Sequence, residues 1–225
     1  TPGVVDVDWY IEADQPLDRF VIEGPGHNVD FLSAIMQHPR FRSGELTTGF
    51  IAEEWPEGFS GAPTSPEQLR TLAALFAGAE VTWQARAGQI SGKLNGAPAT
   101  PAQWLVQLAG QRFTVELGEG GATVDGTWIA GTWDWQPGMR LSTASADGQQ
   151  LSLQLLREGT GWKIITRGAQ HKAKVLPLRL AGLAAHMLEK VPPDLSRYLI
   201  CPMPGLLVAL HVAEGERVEI GQPLA

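Results

Sequence analysis

Apolar residues recur along this chain at two different periods, and the change from one to the other divides it. Between Ser65 and Gly88, the residues Leu69, Leu72, Phe76 and Trp83 fall at the spacing of one helix face. The start of that helix is marked locally. Ser65 can accept a first-turn N–H, Pro66 loses nothing at a position whose N–H has no intrahelical partner, and Gln68 can reach back to the serine N–H. Gly88 is read as the stop. The opposite side carries Ala73, Ala74, Ala77, Gly78 and Ala85 with few charges, whereas a solvated face would be charged. The helix is therefore expected to be enclosed on most of its sides.

Beyond a Gly/Pro-punctuated stretch, Gln89 to Pro101, the period becomes two. Trp104, Val106 and Leu108 alternate, as do Phe113, Val115 and Leu117, then Leu151, Leu153 and Leu155, then Trp162, Ile164 and Thr166. Turn signals separate these runs at Gly110, Gly118 to Gly121, Asp147-Gly148, Gly159 to Gly161 and Gly168. The pattern predicts about six to eight short antiparallel strands in a barrel or sandwich. A curled sheet wrapped around the long helix satisfies both periods, giving a mainly β, α+β fold.

The flanks read differently. Near the N-terminus, Asn28 or Asp30 can cap a helix carrying Phe31, Leu32, Ile35 and Met36, stopped at His38-Pro39. A second short apolar stretch, Phe50-Ile51-Ala52, ends at Trp55-Pro56. Residues 1–59 hold too few elements to make a core alone, so they read as the tail of a larger domain. From Pro177 the pattern is helical again through Leu180, Leu183, Ala184, Met187 and Leu188, ending at Pro192-Pro193. Residues 191–198 (VPPDLSRY) then read as a stiff linker. Residues 201–225 read as short strands broken at Pro204-Gly205, Glu214-Gly215 and Gly221, a pattern that stops partway.

Composition narrows the function. Of 225 residues 44% are hydrophobic and 18% charged, which suits a folded chain of one or two domains. The formal charge is −7 and there is no basic run, so the footprint that draws proteins to phosphate backbones is missing. Cys201 is the single cysteine, too few for an intrachain disulfide or a cysteine zinc site. There is no run long enough to span a bilayer, and the opening TPGVVDVDWY lacks the charged and apolar regions of a signal peptide. A cytosolic location is expected.

Candidate chemistry is sparse. His27, His38, His171, His186 and His211 show no ligand spacing, so no metal site is expected. Glu53, Glu54 and Glu57 are close in sequence, but the segment EEWPEG reads as a solvated helix end rather than an acid–base pair. Gly118 to Gly121 (GEGG) lies between alternating strands, which makes it a hairpin turn and not a phosphate cradle. Trp128, Trp133 and Trp135 are either buried barrel residues or an exposed aromatic platform for a sugar. No catalytic constellation emerges.

Three stretches carry a resemblance. Leu17 to Phe59 reads LDRFVIEGPGHNVDFLSAIMQHPRFRSGELTTGFIAEEWPEGF, and its GHN, FIAEE and PEGF segments resemble the end of the biotin carboxylase domain of biotin-dependent acyl-CoA carboxylase α subunits. It is more similar to the propionyl-CoA branch of that family than to the methylcrotonyl-CoA branch. At the other end, CPMPG (Cys201 to Gly205) followed by EGERVEIGQPL (Glu214 to Leu224) looks like the first half of a biotin carboxyl carrier domain. Between them, TRGA (Thr166 to Ala169) and LEKVPPD (Leu188 to Asp194) are similar to the segments flanking the carrier linker in that subunit. Residues 1–16 do not match.

The resemblance implies an organisation and a task. Residues 1–60 would end the biotin carboxylase domain, with 1–16 unassigned; 61–177 would be the BT domain that docks subunits; 178–198 a helix and linker; and 199–225 the start of the carrier barrel. In such a family the biotin carboxylase domain uses ATP, Mg and bicarbonate to carboxylate biotin. The biotin is carried on a lysine expected just past Ala225, so no catalytic or cofactor-binding residue is assigned within this chain. The partner implied is a carboxyltransferase β subunit, which binds the acyl-CoA, in an α6β6 assembly. The location implied is bacterial cytoplasm, or mitochondrial matrix in a eukaryote. A hook loop after the long helix, Gln89 to Gln103, would make the contact, with Gln89, Ile90, Lys93, Leu94 and Asn95 as its candidate residues. The other readings are a methylcrotonyl- or acetyl-CoA carboxylase, a lipoyl rather than biotinyl carrier, and a Trp-rich carbohydrate-binding barrel.

Overall fold

The Ser65 cap forms as its sequence predicts. Its Oγ accepts the Gln68 N–H at 3.2 Å and its own N–H donates to Gln68 Oε1 at 2.9 Å, so two N–H groups that the helix leaves over are satisfied reciprocally. This geometry comes from a computed structural model, which describes residues 17–22, 26–89, 91, 99–184, 186–187, 194–195, 198, 200, 206 and 208–224. The chain forms two compact units, Thr1–His186 and Met187–Ala225.

In the first unit, three short helices precede the capped one: α1 (Val29–Gln37), α2 (Pro39–Ser43) and α3 (Phe50–Glu54). Asn28 is the N-cap residue of α1 but makes no side-chain cap bond. Asp30, the other expected cap, sits inside the first turn. Pro39 starts α2 directly after His38, whose extended backbone ends α1. The aromatic residues of this segment pack on one another, Phe31 against Trp55 at 5.1 Å and Phe59 at 5.0 Å, and Phe50 against Trp55 at 5.7 Å.

The long helix α4 (Pro66–Gly88) runs inside a closed barrel of eight antiparallel strands. These are β1 (Gln103–Leu108), β2 (Gln111–Gly118), β3 (Gly121–Val124), β4 (Thr127–Trp133), β5 (Leu141–Ala146), β6 (Gln149–Glu158), β7 (Gly161–Thr166) and β8 (Ala169–Pro177). Each pairs with the next, and β1 pairs with β8 to close the ring, Val106 lying opposite both Phe113 and Val175. Closure leaves no strand edge exposed. The inward residues Trp104, Val106, Val115, Val124, Leu153 and Ile164 meet Leu72, Ala73, Phe76 and Ala77 of α4 in one buried core. Every helix position from 68 to 84 is buried or half-buried. The barrel thus accounts for the poorly charged face as far as Gly78, while Ala85 is exposed, and a fully buried Phe76 alone contributes about 1.5–3 kcal/mol.

Four hairpins turn on two residues that both have positive φ: Ala109-Gly110, Asp125-Gly126, Asp147-Gly148 and Arg167-Gly168. That pairing matches the twist of the flanking strands. The GEGG segment is also a hairpin turn, with Gly118 paired to Gly121 across it. One expectation needs correcting at the helix end. Gly88 is the last helical residue, and the cap is Gln89 in a right-handed conformation, so the helix stops without a left-handed glycine.

After β8 the expected helix is shorter than its pattern. A 3-10 turn (Leu178–Leu180) leads into α5 (Ala181–Ala184), and no residue of either is buried. Leu183 and Met187 are exposed, so among the described residues burial does not hold the apolar stripe in a longer helix. Leu188 and the proline pair lie outside the described residues. In the second unit the expected strands are not present among the described residues. Turns form at Glu214-Gly215 and at 220–221, and His211 N–H donates to the Leu224 carbonyl at 3.0 Å. Leu206, Val208 and Ile220 are exposed, and among the described residues none of their surface is buried in a way that would stabilise a ladder. Among the described residues no helix is long and apolar enough to cross a membrane.

Candidate functional site

The proposed hook leaves the C-terminal end of α4 and rejoins the barrel at β1. Gln89 is exposed at the departure, and residues 99–103 at the return are exposed apart from half-buried Pro101. Ile90, Lys93, Leu94 and Asn95 lie outside the described residues. At the return, Ala99 to Gln103 and Pro177 to Arg179 border a shallow cavity of about 750 Å³.

The three tryptophans do not share a surface. Trp135 is buried and donates its Nε1–H to the Met139 carbonyl at 2.8 Å. Trp133 is half-buried against α4, where a Cβ on Gly78 would come within 2.8 Å of its ring. Trp128 points outward, 50% exposed, and lies over Gly118 and Gly121 on the outer wall. A sugar platform needs adjacent exposed rings, and here two of the three face inward.

Trp133 and Trp135 belong instead to an internal cluster. Their rings are 5.8 Å apart, Trp135 meets Trp162 edge-on at 5.4 Å, and Trp162 meets Trp83 of α4 at 6.1 Å. Arg157 lies over both Trp83 and Trp162, at 4.9 and 5.1 Å. Glu80, 7% exposed, anchors this cluster. Its carboxylate accepts the Trp162 Nε1–H at 2.7 Å, Arg157 at 3.1 Å and Gln84 at 2.9 Å. Sequence reasoning missed Glu80. The available signal was a lone acid within the otherwise uncharged run from Thr71 to Ala85, because a carboxylate on an enclosed helix needs donors.

Two of the acidic trio are tied into ion pairs, so the segment is more than a solvated helix end. Arg40 donates to Glu54 at 2.6 Å and to Glu53 at 2.8 Å, and His38 Nε2 lies 3.3 Å from Glu54. These bonds hold the Glu53 carboxyl below its ordinary range and raise Arg40, with Thr47 also donating to Glu53. Glu57 stays exposed. Among the described residues no three His, Cys, Asp or Glu side chains converge to hold a metal. His171 points into the barrel from β8, opposite Ile164, and burial pushes its pKa down.

A cleft of about 470 Å³ separates the helical segment from the barrel, with His38, Trp55, Gln68, Arg167 and His171 among its lining residues. Beside it the two parts are tied by Asp18, a buried carboxylate that bonds both Ser33 of α1 and the Arg167 backbone at the β7–β8 turn. This contact was also missed, since nothing in the local pattern around Asp18 marks it.

Comparison with known proteins agrees with this architecture. The family profile of the propionyl-coenzyme A carboxylase BT domain matches residues 72–190. A propionyl-CoA carboxylase alpha chain from Ruegeria pomeroyi is 44% identical over 214 residues, covering 92% of this chain and 31% of the relative. The mitochondrial propionyl-CoA carboxylase alpha chains of Rattus norvegicus and Homo sapiens are each 31% identical, over 221 and 218 residues, covering 94% and 92% of this chain and 30% of each relative. The chain thus spans less than a third of the length of these relatives. With a closed eight-stranded barrel around one capped helix and a match over more than half its length, the chain belongs to the propionyl-CoA carboxylase BT-domain family.

Proposed function

We propose that this chain is the docking portion of the biotin-containing α subunit of a propionyl-CoA carboxylase, which holds that subunit on a carboxyltransferase β subunit. In this reading residues 1–60 end the biotin carboxylase domain, with 1–16 unassigned, 61–177 form the docking barrel, 178–198 a helix and linker, and 199–225 open the carrier domain. The observation that carries it is the barrel itself. Its core is built from α4 and the tryptophan cluster, and the described ends of the hook, Gln89 and residues 99–103, are exposed apart from half-buried Pro101. A loop exposed at both ends of its path is available to a partner.

The whole enzyme would use ATP, Mg and bicarbonate to carboxylate biotin and then pass the carboxyl group to the α carbon of propionyl-CoA bound by the partner. The covalent biotin itself has no seat in these residues. In the carrier motif that the resemblance implies, the biotin lysine stands between two methionines, and none of the lysines of this sequence, Lys93, Lys163, Lys172, Lys174 and Lys190, has a methionine beside it. What the barrel supplies is proximity, because subunits held together give a tethered group a high effective concentration at both sites. An α6β6 assembly and a bacterial cytoplasmic or mitochondrial matrix location are consistent with this reading. The test is co-purification of the 225-residue chain with a carboxyltransferase β subunit at physiological salt. A stable complex is expected, and a chain that folds but elutes alone contradicts the proposal.

A further inference from the structure

Three of the four turns built on paired positive φ are open: Gly110, Gly126 and Gly148 have nothing within 4 Å of where a Cβ would stand. The fourth, Arg167-Gly168, is driven into the helical segment. A Cβ on Gly168 would lie 2.7 Å from the Ala34 nitrogen and closer still to the Asp30 carbonyl oxygen, both in α1. The Gly168 φ of +72° already favours glycine, so backbone conformation and close approach require the same residue. Its carbonyl accepts the Ala62 N–H at 3.1 Å, and Gln170 Nε2 donates to Asp30 Oδ2 at 2.6 Å.

Asp18 grips the same turn from the other side. Its Oδ2 accepts the Arg167 backbone N–H at 2.8 Å, while its Oδ1 accepts the Ser33 hydroxyl at 2.8 Å. Gln154, inside β6, donates to the carbonyls of Asp18 and Phe20 at 3.4 and 3.3 Å. Asp18 is 8% exposed and Gln154 6% exposed. Opening this contact would strip buried polar groups of their partners together, which makes it a poor place for a hinge.

We propose that the buried β7–β8 turn is a rigid joint, and that Asp18 is a positioning residue that holds segment 17–59 in one orientation on the barrel. A partner docked on the barrel then meets, in a fixed pose, the domain that this segment ends. This rests on the reading in which 17–59 closes a biotin carboxylase domain. It adds that docking and catalytic geometry are coupled through one turn, and that Asp18 acts through Arg167 and Ser33 without touching a substrate.

The joint is read first by amide exchange and then by activity, in the complete α subunit with its partner. The Arg167 amide is expected to exchange about 100-fold more slowly than that of Ala109, which holds the same place in the β1–β2 turn, and to lose that protection in Asp18→Ala. Equal exchange of Arg167 in wild type and Asp18→Ala would overturn the joint. In the same variant, ATP cleavage driven by free biotin and co-purification with the β subunit are expected to stay within about twofold, while overall acyl-CoA carboxylation falls about tenfold in kcat with KM unchanged. Gly168→Ala reaches the same joint through a different contact and is expected to give the same split. Asp18→Asn, which keeps an acceptor for Arg167, is expected to recover part of the rate. Full overall activity in both disrupted variants, with the exchange change present, would overturn the positioning role. A wild-type protein that bound no β subunit would overturn the docking reading and that role together, leaving the exchange result to decide the joint alone.

Discussion

Glu80→Ala is the substitution expected to cost the barrel most for the fewest atoms removed. The carboxylate lies at the wall of the core and accepts Trp162, Arg157 and Gln84. Trp162 is buried and cannot turn to water, so its stranded Nε1–H costs about 1–3 kcal/mol. Arg157 keeps 31% of its side-chain surface exposed and its two ring contacts, so losing its carboxylate adds no more than about 1 kcal/mol. The lost carbons leave a small cavity against the helix, and together these effects amount to about 2–4 kcal/mol. Glu80→Gln, which retains an oxygen acceptor, should lose about half as much. Urea unfolding followed by far-ultraviolet circular dichroism measures this, with the midpoint falling and the slope unchanged. A loss in Glu80→Ala of less than about 0.5 kcal/mol would refute the view that this carboxylate is structurally required.

Three further outcomes follow from burial and charge. Trp133→Ala is expected to lower stability by about 3 kcal/mol, and Trp128→Ala, on the outer wall, by less than about 1 kcal/mol. Neither should change mobility in polysaccharide affinity gels, and retardation lost in Trp128→Ala would revive the carbohydrate reading. His171 has a pKa lowered from its ordinary 6.5 by burial. The unfolded chain therefore binds the proton more readily, and this contribution is complete above about pH 6.5 and is lost as pH falls from there toward the lowered folded value. Thermal unfolding between pH 7.5 and 5.5 should show a decline that is smaller in His171→Gln, and equal slopes would count against the assignment. The lowered carboxyls of Asp134, Glu53 and Glu158 act only in more acid solution, since their ordinary values are 3.8, 4.5 and 4.5. Finally, the 225-residue chain co-expressed with biotin ligase is expected to give no streptavidin-positive band, because none of its lysines sits in a carrier motif.

What could be read from the chain was what is encoded locally. Ser65, Pro66 and Gln68 lie within one turn, so the cap and the start of α4 were visible before any packing was known. Strands with large inward residues, such as Trp104, Val106 and Leu108 in β1, showed their alternation. Strand β5 turns Ser142, Ala144 and Ala146 inward, and residues so small and mixed in polarity give little periodic signal. Barrel closure pairs β1 with β8 across some seventy residues, which no local window contains. The same limit hid Asp18, whose bond to Arg167 spans 149 positions, and Glu80, whose bond to Trp162 spans 82. The helix after Pro177 is shorter than its apolar stripe for the opposite reason. The stripe is present in the sequence, but Leu183 and Met187 are exposed among the described residues, so burial does not extend it.

The central claim is that the barrel docks a partner through the loop at 89–101. Its most direct test is the affinity of the complete α subunit for the carboxyltransferase β subunit, measured by calorimetry with the native loop and with Gln89 to Pro101 replaced by a short Gly/Ser connection. The replacement is expected to leave the barrel's unfolding midpoint nearly unchanged and to weaken binding by at least about 100-fold, the effect of losing a loop that carries the main anchors. A loop-replaced protein that folds normally and binds with unchanged affinity would contradict the claim and move the docking surface to the outer wall of the strands.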